Sequence, residues 1–147
     1  MKVFVCRYQK FTLAIPSEYI QSIFIQSFKI NNQVQYNSKN HITYISLPML
    51  FKCPNVNIKH GIILKKDKFP SENKIILLSA KIENEKDIPE DFFYQLPKIM
   101  SITRFSHIFN GISFNASHID RANDPAADII LQLDPEQLVQ TIQKEIN

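Results

Sequence analysis

Short runs of β-branched and aromatic residues, separated by polar turns, recur along nearly the whole chain. That grammar predicts strands, because a half-buried strand alternates with period two and an amphipathic helix does not. Residues 3–8 and 11–15 flank Gln9-Lys10 and predict a hairpin, whose second strand ends at Pro16 because proline cannot donate to a ladder. Residues 20–28 alternate after their start and predict another strand. Asn31-Asn32 marks a turn, and Val34-Gln35-Tyr36 opens the next extended piece. Residues 41–47 alternate around Ile42 and Tyr44. Pro48-Met49-Leu50-Phe51 suits a single helical turn with proline in its first positions, and Cys53-Pro54-Asn55 then breaks the chain.

The second half follows the same grammar less evenly. Gly61-Ile62-Ile63-Leu64-Lys65 and residues 74–82 predict paired strands, joined by the polar loop 66–73 with Pro70 inside it. Residues 83–91 are acidic and turn at Pro89, and residues 99–109 are apolar without a clear period. Gly111, one of two glycines in the chain, reads as a turn, with Ile112-Ser113-Phe114 beginning a strand and residues 117–128 forming a polar loop. Residues 129–133 predict a last strand. Asp134 then caps a helix that starts at Pro135 and places Leu138 and Ile142 on one face. The sum is nine or ten short strands and one helix, a mainly β protein.

A chain of 147 residues is long enough for one domain or two small lobes. Its net charge of +3 comes from lysines spread along the sequence. A nucleic-acid surface needs them clustered with stacking aromatics, so that partner class is not expected. The densest basic run, Lys65-Lys66-Asp67-Lys68, reads as a solvated hairpin turn. Cys6 and Cys53 fit neither a zinc spacing nor a disulfide framework. The apolar start is cut by Arg7, too early for a signal-peptide core, and no run has membrane-spanning length; a cytoplasmic protein is expected.

Catalytic grammar is missing. His41, His60, His107 and His118 are widely spaced, with no pair at the spacing of a helical metal site. His118-Ile119-Asp120 with Asp124 and Asp128 lacks the glycine and terminal glutamate of a calcium loop. Gly61 and Gly111 stand alone, so phosphate-cradling loops are absent, and no nucleophile elbow is present. The carboxylates between Glu83 and Asp91 are sequence neighbours on one loop, which favours solvation over paired acid–base work. No enzyme activity, metal or cofactor is expected; the expected product is contact.

The ordered set of motifs resembles the CheW-like domain, the adaptor module of bacterial chemotaxis signalling. It begins with Tyr8-x-x-x-x-Leu13-Ala14-Ile15-Pro16-x-x-x-Ile20-x-x-Ile23 and continues with Ile42-Thr43-Tyr44-Ile45-Ser46-Leu47-x-x-x-Phe51. Gly61-Ile62-Ile63-Leu64 and residues 75–82 follow, then Ile88-Pro89-Glu90, Leu96-Pro97, Gly111-Ile112 and Leu131-x-Leu133-Asp134-Pro135-Glu136-x-Leu138. The resemblance implies one domain over residues 1–147, built of two small five-stranded β-barrel (SH3-like) lobes sharing a core, with a short C-terminal helix. It also implies a non-catalytic adaptor bridging the regulatory domain of a CheA-type histidine kinase and the cytoplasmic tip of a chemoreceptor.

Three departures fall where such a family reads its partners. Ser22 stands where the family has a glutamate, and Ser46 stands where an aspartate ends the middle strand. The family's Asn-Leu-Arg-Gly motif meets Tyr36-Asn37-Ser38-Lys39-Asn40, in which Lys39 lacks arginine's planar fork. The resemblance implies a receptor-facing region around Asn37, Lys39 and His41, with Ile20, Ser22 and Phe24 lining the neighbouring surface; Ile20 and Phe24 equally suit a core. The departures leave an alternative open: the same fold reassigned to another motility or signalling partner.

Overall fold

The computed structural model describes residues 1–8, 11–28, 33–53, 57–69, 73–96, 106–113 and 129–146. The expected turns at Gln9-Lys10 and Asn31-Asn32, the break at Pro54-Asn55, Pro70, residues 99–105, Phe114 and the loop 117–128 with its histidine and aspartates lie outside them. The chain divides into two compact units, one of residues 1–18 and 83–147 and one of residues 19–82. Each is built on a five-stranded sheet.

The first unit takes β1 (Lys2–Arg7) and β2 (Thr12–Pro16), the expected antiparallel hairpin, with Val3 opposite Pro16 and Arg7 opposite Thr12. Every residue of β2 is buried. Such a strand needs hydrogen-bonding partners on both edges. Its second partner is β10 (Ile130–Leu133), which runs parallel with Ile130 opposite Thr12. Short β8 (Lys86–Asp87) adds to β1, and β9 (Phe109–Ser113) adds to β10, giving the order β8-β1-β2-β10-β9. Val3, Val5, Ala14, Ile88, Phe92 and Ile130 form the core beneath. Arg7 Nε donates to Glu83 Oε1 at 2.6 Å, and the Glu83 N–H donates to Val5 O at 2.8 Å. Together they tie the returning chain to β1.

The closing helix α2 (Pro135–Ile146) forms as its sequence predicts. Asp134 Oδ1 accepts from the N–H groups of Glu136 at 3.1 Å and Gln137 at 3.2 Å, and Leu138 and Ile142 are buried together. A difference appears at Gly111. It lies in the middle of β9 opposite Gln132 and has no positive φ, so it makes no turn. A Cβ there would sit 2.7 Å from Phe93 Cβ and 2.9 Å from Gln132 Oε1. Close approach of two neighbours, not backbone freedom, requires the glycine.

The second unit orders its strands β3-β6-β7-β5-β4. These are β3 (Ile20–Ile25), β4 (Gln35–Asn37), β5 (Ile42–Ser46), β6 (His60–Leu64) and β7 (Lys74–Ser79). The predicted β6–β7 pair is antiparallel, and β5 joins β7 in parallel. Between β5 and β6 the single turn α1 (Leu47–Leu50) carries Pro48 at its start. Ile45, Ile62, Leu64, Ile75 and Leu77 are buried on one face of the sheet; Ile63, Ile76 and Tyr44 belong to the other.

Among the described residues the ten strands and the C-terminal helix agree with the expectation of a mainly β, SH3-like pair of lobes. Among the described residues neither ladder closes on itself, so the lobes are open sheets and not closed barrels. Their outer strands β8 and β4 have two and three residues, which leaves little ladder for closure.

Replacing Gly111 by Ala must displace Phe93 at its Cβ, where no side-chain rotation relieves the clash. Urea unfolding of Gly111→Ala is expected to show a loss of about 1–3 kcal/mol. A turn glycine would tolerate Asn, so a fully stable Gly111→Asn would contradict the mid-strand role.

Candidate functional site

Aromatic rings cross the less buried face of the second sheet from one edge strand toward the other. Phe24 meets Phe28 at 5.9 Å between ring centroids, Phe28 meets Tyr44 at 6.2 Å, and Tyr44 stacks on Tyr36 at 4.9 Å. All four are half-buried and rest, with Ile42 and Ile63, on buried Ile58, Ile76 and Leu78. Each spacing lies in the range where ring pairs attract beyond their area burial. Burial, and then the neighbouring Tyr44, raise the Tyr36 phenol above its ordinary pKa, so it stays a neutral donor.

Gly61 makes room for this row. Its Cβ, were there one, would lie 2.2 Å from Phe24 Cζ. The tip of the edge-strand ring therefore packs on the bare backbone of the next strand.

The structure sorts the expected site residues into two groups. Ser22 lies opposite Ile63 and Phe24 opposite Gly61, so both belong to the aromatic face. A register shift between Ile20 and Ser22 turns Ile20 to the other face, opposite Leu64 and 8% exposed. Asn37, Lys39 and His41 sit at the far side, at the end of β4 and in the turn to β5. Since β3 and β4 are the two outer strands, four strand spacings or about 19 Å separate the groups. The aromatic row connects them.

The second group is held from within. Asn37 Oδ1 accepts from Thr43 Oγ1 at 2.8 Å, and Thr43 Oγ1 accepts from Asn73 Nδ2 at 3.1 Å. The Ser38 N–H donates to Ile42 O at 2.8 Å, and the Asn40 N–H donates to Ser38 Oγ at 3.3 Å. His41 takes a left-handed φ of 58°, a conformation that glycine adopts more readily. Ser46 is buried at 2% exposure and caps α1, its Oγ accepting from the Met49 N–H at 3.4 Å. Aspartate and serine are both good caps, so this departure leaves the local structure served.

Sequence reasoning passed over Ile25, which is 83% exposed on the outer strand β3. The signal was present: residues 19–28 contain no charge, glycine or proline. Opposite Ile25 lies His60, whose Nδ1 accepts from the Ile82 N–H at 3.4 Å. Among the described residues, no three His, Cys, Asp or Glu side chains gather as a metal site would require. No described helix is long and apolar enough to cross a membrane.

Two predictions test this sheet. Gly61→Ala should push the Phe24 ring aside at a cost of about 1 kcal/mol or more, whereas the same change in a Phe24→Ala background should be neutral or stabilising. Equal costs in both backgrounds would show that the ring does not rest there. The second concerns His60, whose pKa is lowered from 6.5 by burial first, then by Lys81 and Lys59, against a raising backbone hydrogen bond at Ala80. A depressed folded pKa contributes stability above the unfolded value of about 6.5, lost as pH falls through the folded value. The urea midpoint should thus drop between pH 7 and pH 5, and His60→Gln should flatten that drop.

No protein-family profile matches the sequence, and no curated protein matches it. Solved structures do. The chain is similar to the scaffolding protein TtCheW from Thermoanaerobacter tengcongensis at a TM-score of 0.57 and 14% identity, over 90% of this chain and 87% of that one. At that identity the likeness speaks for architecture: the chain has the CheW fold.

Proposed function

We propose that the protein is a non-catalytic, cytoplasmic CheW-like adaptor that bridges the regulatory domain of a CheA-type histidine kinase and the cytoplasmic tip of a chemoreceptor. The observation that carries this reading is the fold match to a scaffolding protein across nine-tenths of the chain. The second unit supplies two surfaces for two partners. Ser22 and Phe24 on the aromatic face, with Ile20 and exposed Ile25 on the other face of the same strand, offer an apolar edge. Lys39 and His41, presented by the turn that Asn37 anchors, offer a polar tip. An apolar centre would carry affinity, and the tip charge would set encounter rate and specificity.

A second reading keeps the fold and changes the partner, to another motility or signalling protein. It is favoured by Ser22 and Lys39, which replace a glutamate and an arginine of the family pattern. Ser46 does not favour it, since its capping bond needs only a short polar side chain.

Titration of the protein against the kinase regulatory domain and receptor tips of its own organism separates the readings. The adaptor predicts micromolar binding to both. Binding to neither at tens of micromolar would leave only the fold. Lys39→Glu should weaken an acidic receptor tip by about fivefold while the unfolding midpoint holds; unchanged affinity would remove Lys39 from the site.

A further inference from the structure

The basic run between β6 and β7 does more than turn the chain. The Lys68 N–H donates to Lys65 O and the Phe69 N–H to Lys66 O, both at 3.2 Å. This tight turn folds Phe69 inward, to 6% exposure, against the Tyr19 ring at 6.0 Å. Lys68 lies over the same Tyr19 ring, 5.9 Å from its centroid. What remains beside the turn is a pocket of about 210 Å³, with Lys65, Lys66 and Lys74 on its walls and Leu64, Phe69 and Ile75 beneath. Gln21 and Asn73 complete the lining, which includes no carboxylate, histidine or thiol among the described residues.

Three lysines and three apolar residues thus line one pocket, and among the described residues no carboxylate forms an ion pair with any of these lysines. From Lys65 to Lys74 the sequence has four lysines against Asp67 and Glu72. At about 210 Å³ the pocket has room for one side chain and its neighbour.

We propose that this pocket docks an acidic peptide segment of a partner protein, one that places a carboxylate beside an aliphatic side chain. The carboxylate would be held by Lys65, Lys66 and Lys74, and the aliphatic group would cover Leu64, Phe69 and Ile75. Charge complementarity selects the acid, and the apolar share of the lining favours a peptide over a bare anion. Nucleic acid fits less well, because the Tyr19 ring beside the turn already lies under Lys68. The pocket adjoins the β3 edge, where Gln21 lies between Ile20 and Ser22 and Leu64 lies opposite Ile20, but it shares no residue with the surfaces proposed for the kinase and the receptor.

Fluorescence anisotropy with a labelled peptide of alternating glutamate and leucine tests it, using the intact chain. Micromolar binding at low salt is expected, weakened about tenfold by Lys66→Glu with Lys74→Glu and by replacing the peptide's glutamates with glutamine or its leucines with serine. Lys59→Glu with Lys81→Glu, exposed charges away from the pocket, should leave binding within about twofold. The proposal is overturned if the peptide does not bind, or if the Lys59/Lys81 variant loses as much as the Lys66/Lys74 variant. It is equally overturned if inorganic phosphate or a single-stranded oligonucleotide displaces the peptide from the lysines with higher affinity.

Discussion

A buried strand must find hydrogen-bonding partners on both of its edges, and much of this architecture follows from that demand. β2 is buried at every position, and its hairpin with β1 satisfies only one edge. The other edge is met by β10, a strand from the far end of the chain, in parallel. In the second unit β7 is in the same position between antiparallel β6 and parallel β5. Parallel neighbours cannot be joined by a tight turn, so the chain must travel before it returns. In the first unit that journey passes through the whole of residues 19–82.

The same economy shapes the sheet edges. Edge strands expose unpaired backbone groups, and proteins usually shorten or charge them. β4 is three residues long and leads into a turn carrying Lys39. β3 has six residues, none charged, and an almost fully exposed Ile25. Among the described residues no strand pairs with the outer edge of β3. The glycine at position 61 belongs to this arrangement, because it lets the tip of the Phe24 ring approach the sheet where any side chain would push it off.

Hairpins, caps and local turns were legible because their causes are local. The β1–β2 and β6–β7 pairs, the proline-led turn at Leu47–Leu50 and the Asp134 cap each depend on residues adjacent in sequence. Gly111 was misread for the complementary reason. A glycine between apolar residues looks like a turn, and only the positions of Phe93 and Gln132 reveal it as a point of close approach. Ile20 behaves similarly: simple alternation groups it with Ser22 and Phe24, and one shift in register moves it to the opposite face.

The sequence alone determined the strand-rich character, the C-terminal helix and the order of elements that resembles the CheW-like pattern, since period, punctuation and capping are written residue by residue. Tertiary structure decided the rest. It placed β3 and β4 at opposite edges, so that one expected site became two surfaces joined by a row of aromatic rings. It also set Lys74 beside Lys65 and Lys66, turning a basic turn into a pocket. Both outcomes depend on pairings between strands distant in sequence, whose entropy cost is repaid only when the whole sheet forms. No local pattern encodes them.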